Sequence, residues 1–242
     1  MKIIEWEKLP PEMRNEKVRE YYDFLKKKKL SLFIKRAFDL FASSVALIIL
    51  SPIFAVLAIM IKLDSPGPVF FRQERVTQYG KRFYIHKFRT MFHDSEGSQI
   101  TVGQDNRITR VGNLIRSSRL DETAQLIDVV CGHMTLVGVR PEVPQFIEYY
   151  TDEMMATLML PAGVTSLASI YYKDEGQMLD DVEDVDKVYG ERILPQKMYY
   201  NLKGMKSFSF LSDIGIIFKT IFAILGKEYS DDSYEKDVQV HN

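Results

Sequence analysis

The chain has 242 residues, 46% of them hydrophobic and 27% charged, so it is long enough and apolar enough to fold around a core of its own. The net charge of −1 combines a basic first half with an acidic stretch between residues 148 and 191. Such basic residues attract any polyanion, so they indicate phosphates or an anionic membrane and do not by themselves predict nucleic-acid binding. Cys131 is the only cysteine, which excludes an intrachain disulfide. The first thirty residues are polar, so a secretory signal is not expected.

An uncharged apolar segment runs from Leu40 to Ile61, long enough to span a bilayer core. Ser51-Pro52 lies at its middle, where a proline removes a backbone donor and kinks or breaks a helix. Basic residues flank both ends, and positive charge favours the cytoplasmic side. The pattern therefore leaves three alternatives: a re-entrant helix-break-helix that enters and leaves on the cytoplasmic face, a proline-kinked helix that crosses once, or a buried core helix, which the length of the segment favours least.

The elements after this segment follow from composition and periodicity. Val69–Arg75 and Lys81–Arg89 are rich in β-prone and aromatic residues around a Gly-bearing loop, which predicts a β-hairpin. Helices are predicted over Thr109–Ser118, over Asp121–Val130 with a stop at Gly132, near Gln145–Leu160, over Glu191–Leu202 and over Asp213–Leu225. The last of these is apolar and is expected at a membrane surface or in the core.

The expected fold class is therefore mostly α with a small β-hairpin (α+β). The predicted organisation is a polar and basic N-terminal extension over residues 1–34, a membrane helix over 35–62, a catalytic domain over 63–226 and a polar tail over 227–242. Residues 173–188 are acidic and are expected to form a solvated loop.

Asp121 and Glu122 are the sharpest candidates for chemistry. Four arginines precede them, at positions 107, 110, 116 and 119. Two adjacent carboxylates in a basic setting can stay ionised, bind a divalent cation and present an oxygen as a nucleophile. Acidic residues at a helix start are also ordinary stabilising groups, and the pair alone favours this second interpretation.

Three further cations can bind anions. Lys87 and Arg89 end the second hairpin strand and can hold a diphosphate, although a solvated strand edge is the alternative. Arg140, before Pro141, lies where the chain turns, and it can hold an anion or form a surface ion pair. The histidines lack metal-ligand spacing, and phosphate-loop and dinucleotide glycine motifs are absent, so the sequence does not predict a zinc site or these nucleotide folds.

Several motifs occur in a fixed order along residues 31–225. They are Lys35-Arg36-Ala37-Phe38-Asp39, Ser51-Pro52, Ser65-Pro66-Gly67-Pro68-Val69-Phe70-Phe71, Gln73-Glu74-Arg75, Lys87-Phe88-Arg89-Thr90-Met91, Ile108-Thr109-Arg110-Val111-Gly112, Leu120-Asp121-Glu122 with Gln125-Leu126, Leu136-Val137-Gly138 and Arg140-Pro141-Glu142. Together they resemble the bacterial sugar transferase family, the small monotopic phosphoglycosyl transferases. A series of ordered motifs is far more specific than the carboxylate pair alone.

This resemblance implies a two-step reaction. Asp121 attacks the sugar-bearing phosphate of a UDP-sugar, UMP leaves, and polyprenyl (undecaprenyl) phosphate takes the phosphosugar from the covalent aspartyl intermediate. It implies Mg²⁺ as the cofactor, with Glu122 as the main protein ligand beside Asp121. It further implies the re-entrant form of the membrane helix, broken at Ser51-Pro52.

The resemblance also assigns the cations. Arg116 and Arg140, the latter with Pro141, match family residues that would hold the phosphates. Lys87 and Arg89 would support the site. The implied location is the bacterial inner membrane, monotopic, with the catalytic domain on the cytoplasmic face. The implied partners are a UDP-sugar, polyprenyl phosphate and the bilayer, with downstream glycosyltransferases and a homodimer as further candidates and no nucleic acid.

Three positions depart from the family pattern. Thr77 stands where a glycine is common, His133 lies in Gly132-His133-Met134 where Gly-Asp-Met is usual, and Val139 replaces the first proline of Pro-Arg-Pro. The last two flank the carboxylates in sequence. They motivate an alternative to the enzyme that initiates a surface glycan: a catalytically impaired membrane-surface scaffold of the same fold.

Overall fold

The computed structural model describes residues 1–93, 105–172, 179, 184–231 and 233–234. Over these ranges the chain is mostly helical with two small two-stranded sheets, which confirms the mostly α class with a hairpin. The α-helices are α1 Glu16–Lys27, α2 Lys29–Asp64, α3 Arg110–Ser117, α4 Gln125–Cys131, α5 Leu167–Tyr171, α6 Val185–Val188, α7 Leu194–Lys206 and α8 Phe210–Ile224. The strands are β1 Phe70–Val76, β2 Arg82–Phe88, β3 Met134–Val137 and β4 Ala162–Thr165. Most of the predicted acidic loop and the end of the predicted tail lie outside the described residues.

The shorter helical turns complete this inventory. Three-ten helices span Trp6–Lys8, Pro11–Met13, Gln78–Gly80, Asp121–Ala124, Pro144–Tyr149 and Met154–Met159, and Tyr189–Ile193 is a π-helix.

The predicted hairpin is confirmed. Strands β1 and β2 pair antiparallel with Phe70 opposite Phe88 and Val76 opposite Arg82. The connecting turn places Tyr79 and Gly80 at φ 59° and 72°, a region that glycine adopts without strain. The hairpin sends alternate side chains to its two faces, so Lys87 and Phe88 point in opposite directions.

The helix predicted near Gln145–Leu160 is wrong. Two three-ten helices replace it, and the residues that follow them form β4, which pairs parallel with β3. Residues 156–159 are all buried, and four consecutive buried residues do not fit the single apolar face of an amphipathic helix. The parallel pair depends on glycine, because a Cβ on Gly163 would lie 2.2 Å from backbone atoms of Gly138.

Helix α2 has 36 residues and is long and apolar enough to cross a membrane, by length and composition. The helical conformation continues through Ser51-Pro52, where the sequence predicted a break. Pro52 has no N–H for the carbonyl of Ile48, and the Ser51 hydroxyl donates to that carbonyl instead at 2.8 Å. Residues 44–56 include no buried side chain, and Phe54 near the end of this stretch packs edge-on against Phe88 with ring centroids 4.9 Å apart. The middle of α2 is therefore largely exposed.

Both ends of α2 rest on the same globular part of the protein. Near its start, the buried Lys35 ammonium donates to the carbonyl of Val137 at 2.8 Å and to Asp213 at 2.6 Å. At its end, the Asp64 carboxylate accepts from the Val111 amide at 3.0 Å. The two docked ends bracket the uncovered middle segment.

The N-terminal residues, expected as a polar extension, contribute to the largest hydrophobic cluster. Helix α1 is capped by Asn15, which accepts from the amide of Val18 at 2.9 Å. One face of α1 is buried against the segment around Met159 and against the end of α7. The N-terminal segment is therefore part of the fold that supports the hairpin and the three-ten helices.

Candidate active site

The Asp121–Glu122 pair lies in a three-ten turn between α3 and α4. Arg119, at φ 56°, turns the chain after α3, and Ala124 anchors the following turn in the core. Leu120 occupies the cap position, and neither carboxylate forms a side-chain cap bond at the start of this turn or of α4. The side chains of Asp121 and Glu122 therefore cap neither helix, and both carboxylates are available for other contacts.

Glu122 is clamped by two cations from different elements. Lys87 at the end of β2 donates to Oε1 at 2.8 Å. The Arg140 guanidinium binds both oxygens, with Nη1 2.9 Å from Oε2 and Nη2 on Oε1. Burial raises the pKa of Glu122, but the charges of Arg140 and Lys87 outweigh burial and hold that pKa well below its usual range. Glu122 is therefore an ionised anchor that keeps the two cations together.

Asp121 has a different environment. Within the described part of the chain, no hydrogen bond reaches its carboxylate, which is only partly exposed. Burial and then the negative charge of Glu122 raise the pKa of Asp121, while Lys87, Arg116 and Arg140 oppose the rise. A carboxylate with a raised pKa and unengaged oxygens is a better nucleophile than its clamped neighbour.

Two of the predicted cations contact Glu122, and a third acts on Asp121 through its charge. Lys87 and Arg140 contact Glu122 directly, and Arg116 is close enough to act electrostatically on Asp121. Pro141 contributes its backbone carbonyl, which accepts from Arg75 at 3.1 Å.

Arg89 is not directed at the carboxylates. Its buried guanidinium donates to the carbonyls of Ser65 at 2.8 Å and Ile61 at 3.4 Å, and to that of Pro66. The Ser65 and Pro66 carbonyls lie just past the end of α2, and the Ile61 carbonyl, in its last turn, also accepts from the Ser65 amide at 3.3 Å. The structure thus places Arg89 as a clamp on the end of α2, where the sequence predicted a phosphate contact.

Four residues near the site were not among the predicted site residues. Arg75 lies on β1, Glu142 follows Pro141, and Tyr189 and Lys197 come from the π-helix and α7. Burial lowers the pKa of Arg75 and the charge of Glu142 opposes that shift, so the two share one electrostatic neighbourhood with Arg140. Arg75 and Glu142 belong to the motifs Gln73-Glu74-Arg75 and Arg140-Pro141-Glu142. No local pattern marks Tyr189 or Lys197, which tertiary packing brings near the site.

The carboxylates fit a magnesium ion in one specific way. Among the described residues there is no group of three or more metal-binding side chains. Mg²⁺ commonly takes only one or two carboxylates and completes its shell with water and substrate phosphates. Glu122 Oε1 already accepts from two cations, whereas Oε2 accepts one N–H. Asp121 and Glu122 Oε2 are therefore the oxygens that would hold the ion beside a diphosphate.

Comparison with known proteins identifies the family. The sequence model of the bacterial sugar transferase family matches residues 30–227. The chain belongs to the bacterial sugar transferase family.

Among three similar relatives, two have names that include undecaprenyl phosphate. The chain is 37% identical over 198 residues to a UDP-N-acetylgalactosamine-undecaprenyl-phosphate N-acetylgalactosaminephosphotransferase of Aeromonas hydrophila, covering 80% of this chain and 44% of the relative. It is 32% identical over 195 residues to the UDP-glucose:undecaprenyl-phosphate glucose-1-phosphate transferase of Escherichia coli K12, covering 78% and 39%. It is 46% identical over 114 residues to the exopolysaccharide production protein PSS of Rhizobium leguminosarum bv. phaseoli, covering 46% and 57%. The chain thus spans about half the length of these relatives or somewhat less.

The departures from the sugar transferase pattern lie away from the clamped carboxylate. The His133 ring packs near Phe83, with centroids 5.6 Å apart, and its carbonyl accepts from the Thr77 hydroxyl at 2.7 Å. The Val139 carbonyl accepts from the Gly163 amide at 2.7 Å, a bond that a proline at 139 would also allow. Over the described residues, no hydrogen bond, ion pair or ring contact joins either side chain to Glu122, so these departures do not favour the scaffold alternative.

Proposed function

We propose that this chain transfers a sugar-1-phosphate from a UDP-sugar to polyprenyl (undecaprenyl) phosphate and releases UMP. The observation that carries the proposal is the asymmetric carboxylate pair: Asp121 with unengaged oxygens beside Glu122, which is clamped by Lys87 and Arg140. The named functions of the relatives support the acceptor, and two of their names include a UDP-sugar. The names of the relatives differ in the sugar, so the proposal specifies the donor only as a UDP-sugar.

The reaction proceeds in two displacements. An oxygen of ionised Asp121 attacks the phosphorus that carries the sugar, the bond from that phosphorus to the UMP oxygen breaks, and UMP leaves with the electron pair. In the second step an oxygen of polyprenyl phosphate attacks the same phosphorus and Asp121 leaves as a carboxylate. Lys87, Arg116 and Arg140 hold positive charge where the phosphates gather, which is the main requirement of phosphoryl transfer.

Magnesium is part of the proposal. Bound by Asp121 and Glu122 Oε2, it would neutralise the diphosphate charge and ease departure of UMP. The residues of this chain orient the donor, and none of the described side chains donates a hydrogen bond to Asp121.

The topology of α2 supports a monotopic enzyme on the cytoplasmic face of the inner membrane. Both ends of α2 bind the same globular part, through Lys35 at one end and Asp64 at the other. A helix that crossed the bilayer once would place its ends on opposite faces, so we propose that α2 enters and leaves on one face and bends near Ser51-Pro52. The site then faces the leaflet that contains the lipid acceptor, and the product would be the first lipid-linked sugar of a surface glycan or glycoconjugate.

The test is UMP release by purified protein with polyprenyl phosphate, magnesium and a panel of UDP-sugars. We expect release with at least one sugar, a phosphosugar adduct on intact wild-type protein by mass spectrometry, and neither in Asp121→Asn. Asp152→Asn, which changes an exposed aspartate, is the matched control and should keep both. UMP release that persists in Asp121→Asn would exclude this residue as the nucleophile. Absence of turnover with every sugar, in folded and lipid-bound protein, would favour the scaffold.

A further inference from the structure

A buried polar chain lies behind the Arg140 segment. The Lys197 ammonium donates to the Tyr189 hydroxyl at 2.9 Å, and that hydroxyl donates to Glu142 Oε1 at 2.8 Å. Lys197, Tyr189 and Glu142 are 3%, 4% and 5% exposed. Removing a carboxylate and an ammonium from water is costly unless they are hydrogen-bonded to partners, so this chain is a defined arrangement of the fold.

The hydrogen-bonded series from Lys197 through Tyr189 to Glu142 ends on the backbone segment that carries Arg140. Glu142 follows Arg140 by two residues, and its backbone carbonyl accepts from the Val76 amide at 2.9 Å. Between them, the Pro141 carbonyl accepts from Arg75 at 3.1 Å. The backbone of this segment is thus held from β1, and its Glu142 side chain is held from the π-helix and α7.

The position of Glu142 creates a competition for the guanidinium. Arg140 binds Glu122, yet a second buried carboxylate lies two residues away in sequence and in the same electrostatic neighbourhood. Carboxylates compete for a nearby guanidinium, and a bidentate geometry persists only where the competitor is occupied. The Tyr189 hydroxyl, which itself accepts from Lys197, occupies Oε1 of Glu142.

We propose that Glu142, Tyr189 and Lys197 are positioning residues, which hold the Arg140 segment so that its guanidinium stays on Glu122 beside the reacting phosphate. This inference rests on the proposed transferase function. The π-helix at Tyr189–Ile193 provides the wide turn that brings the Tyr189 hydroxyl inward.

The decisive variant is Tyr189→Phe, which removes the shared hydroxyl and keeps the ring on Phe146, 4.7 Å away between centroids. We expect kcat for UMP release to fall about tenfold, with KM for the UDP-sugar within about twofold, because the loss is of orientation. The matched control is Tyr172→Phe, which loses a hydroxyl bond of 2.8 Å to Gln196 on the same helix α7 and should keep both constants. Equal kcat in the two variants, or a loss carried by KM alone, would overturn the proposal.

A double-variant cycle distinguishes the loss of this hydrogen-bonded series from general destabilisation of the protein. Glu142→Gln keeps an acceptor for the Tyr189 hydroxyl but removes the charge that competes for Arg140. Because the two residues act through one contact, Tyr189→Phe/Glu142→Gln should lose no more kcat than the worse single variant. If the two losses in kcat multiplied, the two residues would act independently, and the proposed hydrogen-bonded series would be overturned.

A readout without catalysis distinguishes this inference from the proposed function. Hydrogen exchange of the peptide that covers residues 139–146 should be faster in Tyr189→Phe than in wild type and unchanged in Tyr172→Phe. If wild type releases no UMP from any sugar, the transferase proposal fails, and the exchange result still decides whether the chain holds the segment. Unchanged exchange in Tyr189→Phe would overturn the positioning role even in an active enzyme.

Discussion

Replacement of Arg89 tests whether this buried cation holds the end of α2 or the substrate. Arg89→Met keeps an unbranched stem and removes every donor to the carbonyls of Ser65, Ile61 and Pro66. The contacts with Ser65 and Pro66 are the close ones, and a hydrogen bond from a charged group contributes about 1.5–3 kcal/mol. The third is long, at 3.4 Å, and the buried Nε has no partner among the described residues, which reduces the net gain. We therefore expect a loss of about 2–4 kcal/mol of stability.

The assay is thermal unfolding in detergent, followed by kinetics at a temperature where both proteins are folded. For a chain of this size, the expected loss corresponds to a Tm about 4–16 °C lower. Lys62→Met is the matched control, because Lys62 is an exposed cation in the last turn of α2 and its removal should leave Tm nearly unchanged. Arg89→Lys should lie between wild type and Arg89→Met, since one ammonium keeps only part of the clamp. A KM for the UDP-sugar raised at least tenfold with an unchanged Tm would refute this reasoning and restore the phosphate contact.

Three further predictions concern the carboxylate and two glycines. Because Asp121 reacts as a carboxylate and burial and Glu122 raise its pKa, kcat/KM should fall as pH drops through a value above the ordinary 3.8, and a profile flat to pH 4 would contradict this. The same shift means that ionised Asp121 costs stability above its folded pKa, so Asp121→Asn should raise Tm at pH 7 and lose this advantage as pH falls through the folded pKa toward 3.8. Gly112→Ala would place a Cβ 1.9 Å from the Thr90 carbonyl and should cost about 3 kcal/mol or more, whereas Gly215→Ala meets open space in α8 and should stabilise by about 0.5–1 kcal/mol, both by unfolding in denaturant.

The parts of the fold that sequence predicted are those set by local rules. The hairpin follows from β-prone residues around Gly80, and α3 follows from the Thr109 cap and the apolar spacing of Val111 and Ile115. The helix near Gln145–Leu160 failed because its residues are buried by contacts with the distant N-terminal segment, which periodicity does not report. The β3–β4 pair is only four residues per strand and depends on two glycines far apart in sequence, so no local pattern predicts it.

The site divides along the same line. The ordered motifs brought Asp121, Glu122, Lys87 and Arg140 together as candidates, and the structure places the last three in contact. The motifs could not show which cation serves which partner, because Arg89 lies two residues from Lys87, just past the end of β2, and still reaches a different target. Contacts between residues 142, 189 and 197 depend on how α7 packs. The sequence does not predict them, because these residues are far apart in it.

The adjacent carboxylates illustrate how one local sequence can supply two chemical roles. Glu122 has a lowered pKa and two bound cations, and each of these makes it a weak nucleophile. Asp121 has a raised pKa and no hydrogen bond from the described residues, and each of these makes it a stronger one. Pairs of titratable groups whose environments separate their pKa values commonly divide the work of a reaction. The division depends on Arg140 staying with Glu122, since a guanidinium that moved to Asp121 would stabilise the very charge that must attack phosphorus. The proposed roles of the nucleophile and of the buried chain behind Arg140 are therefore parts of one electrostatic arrangement.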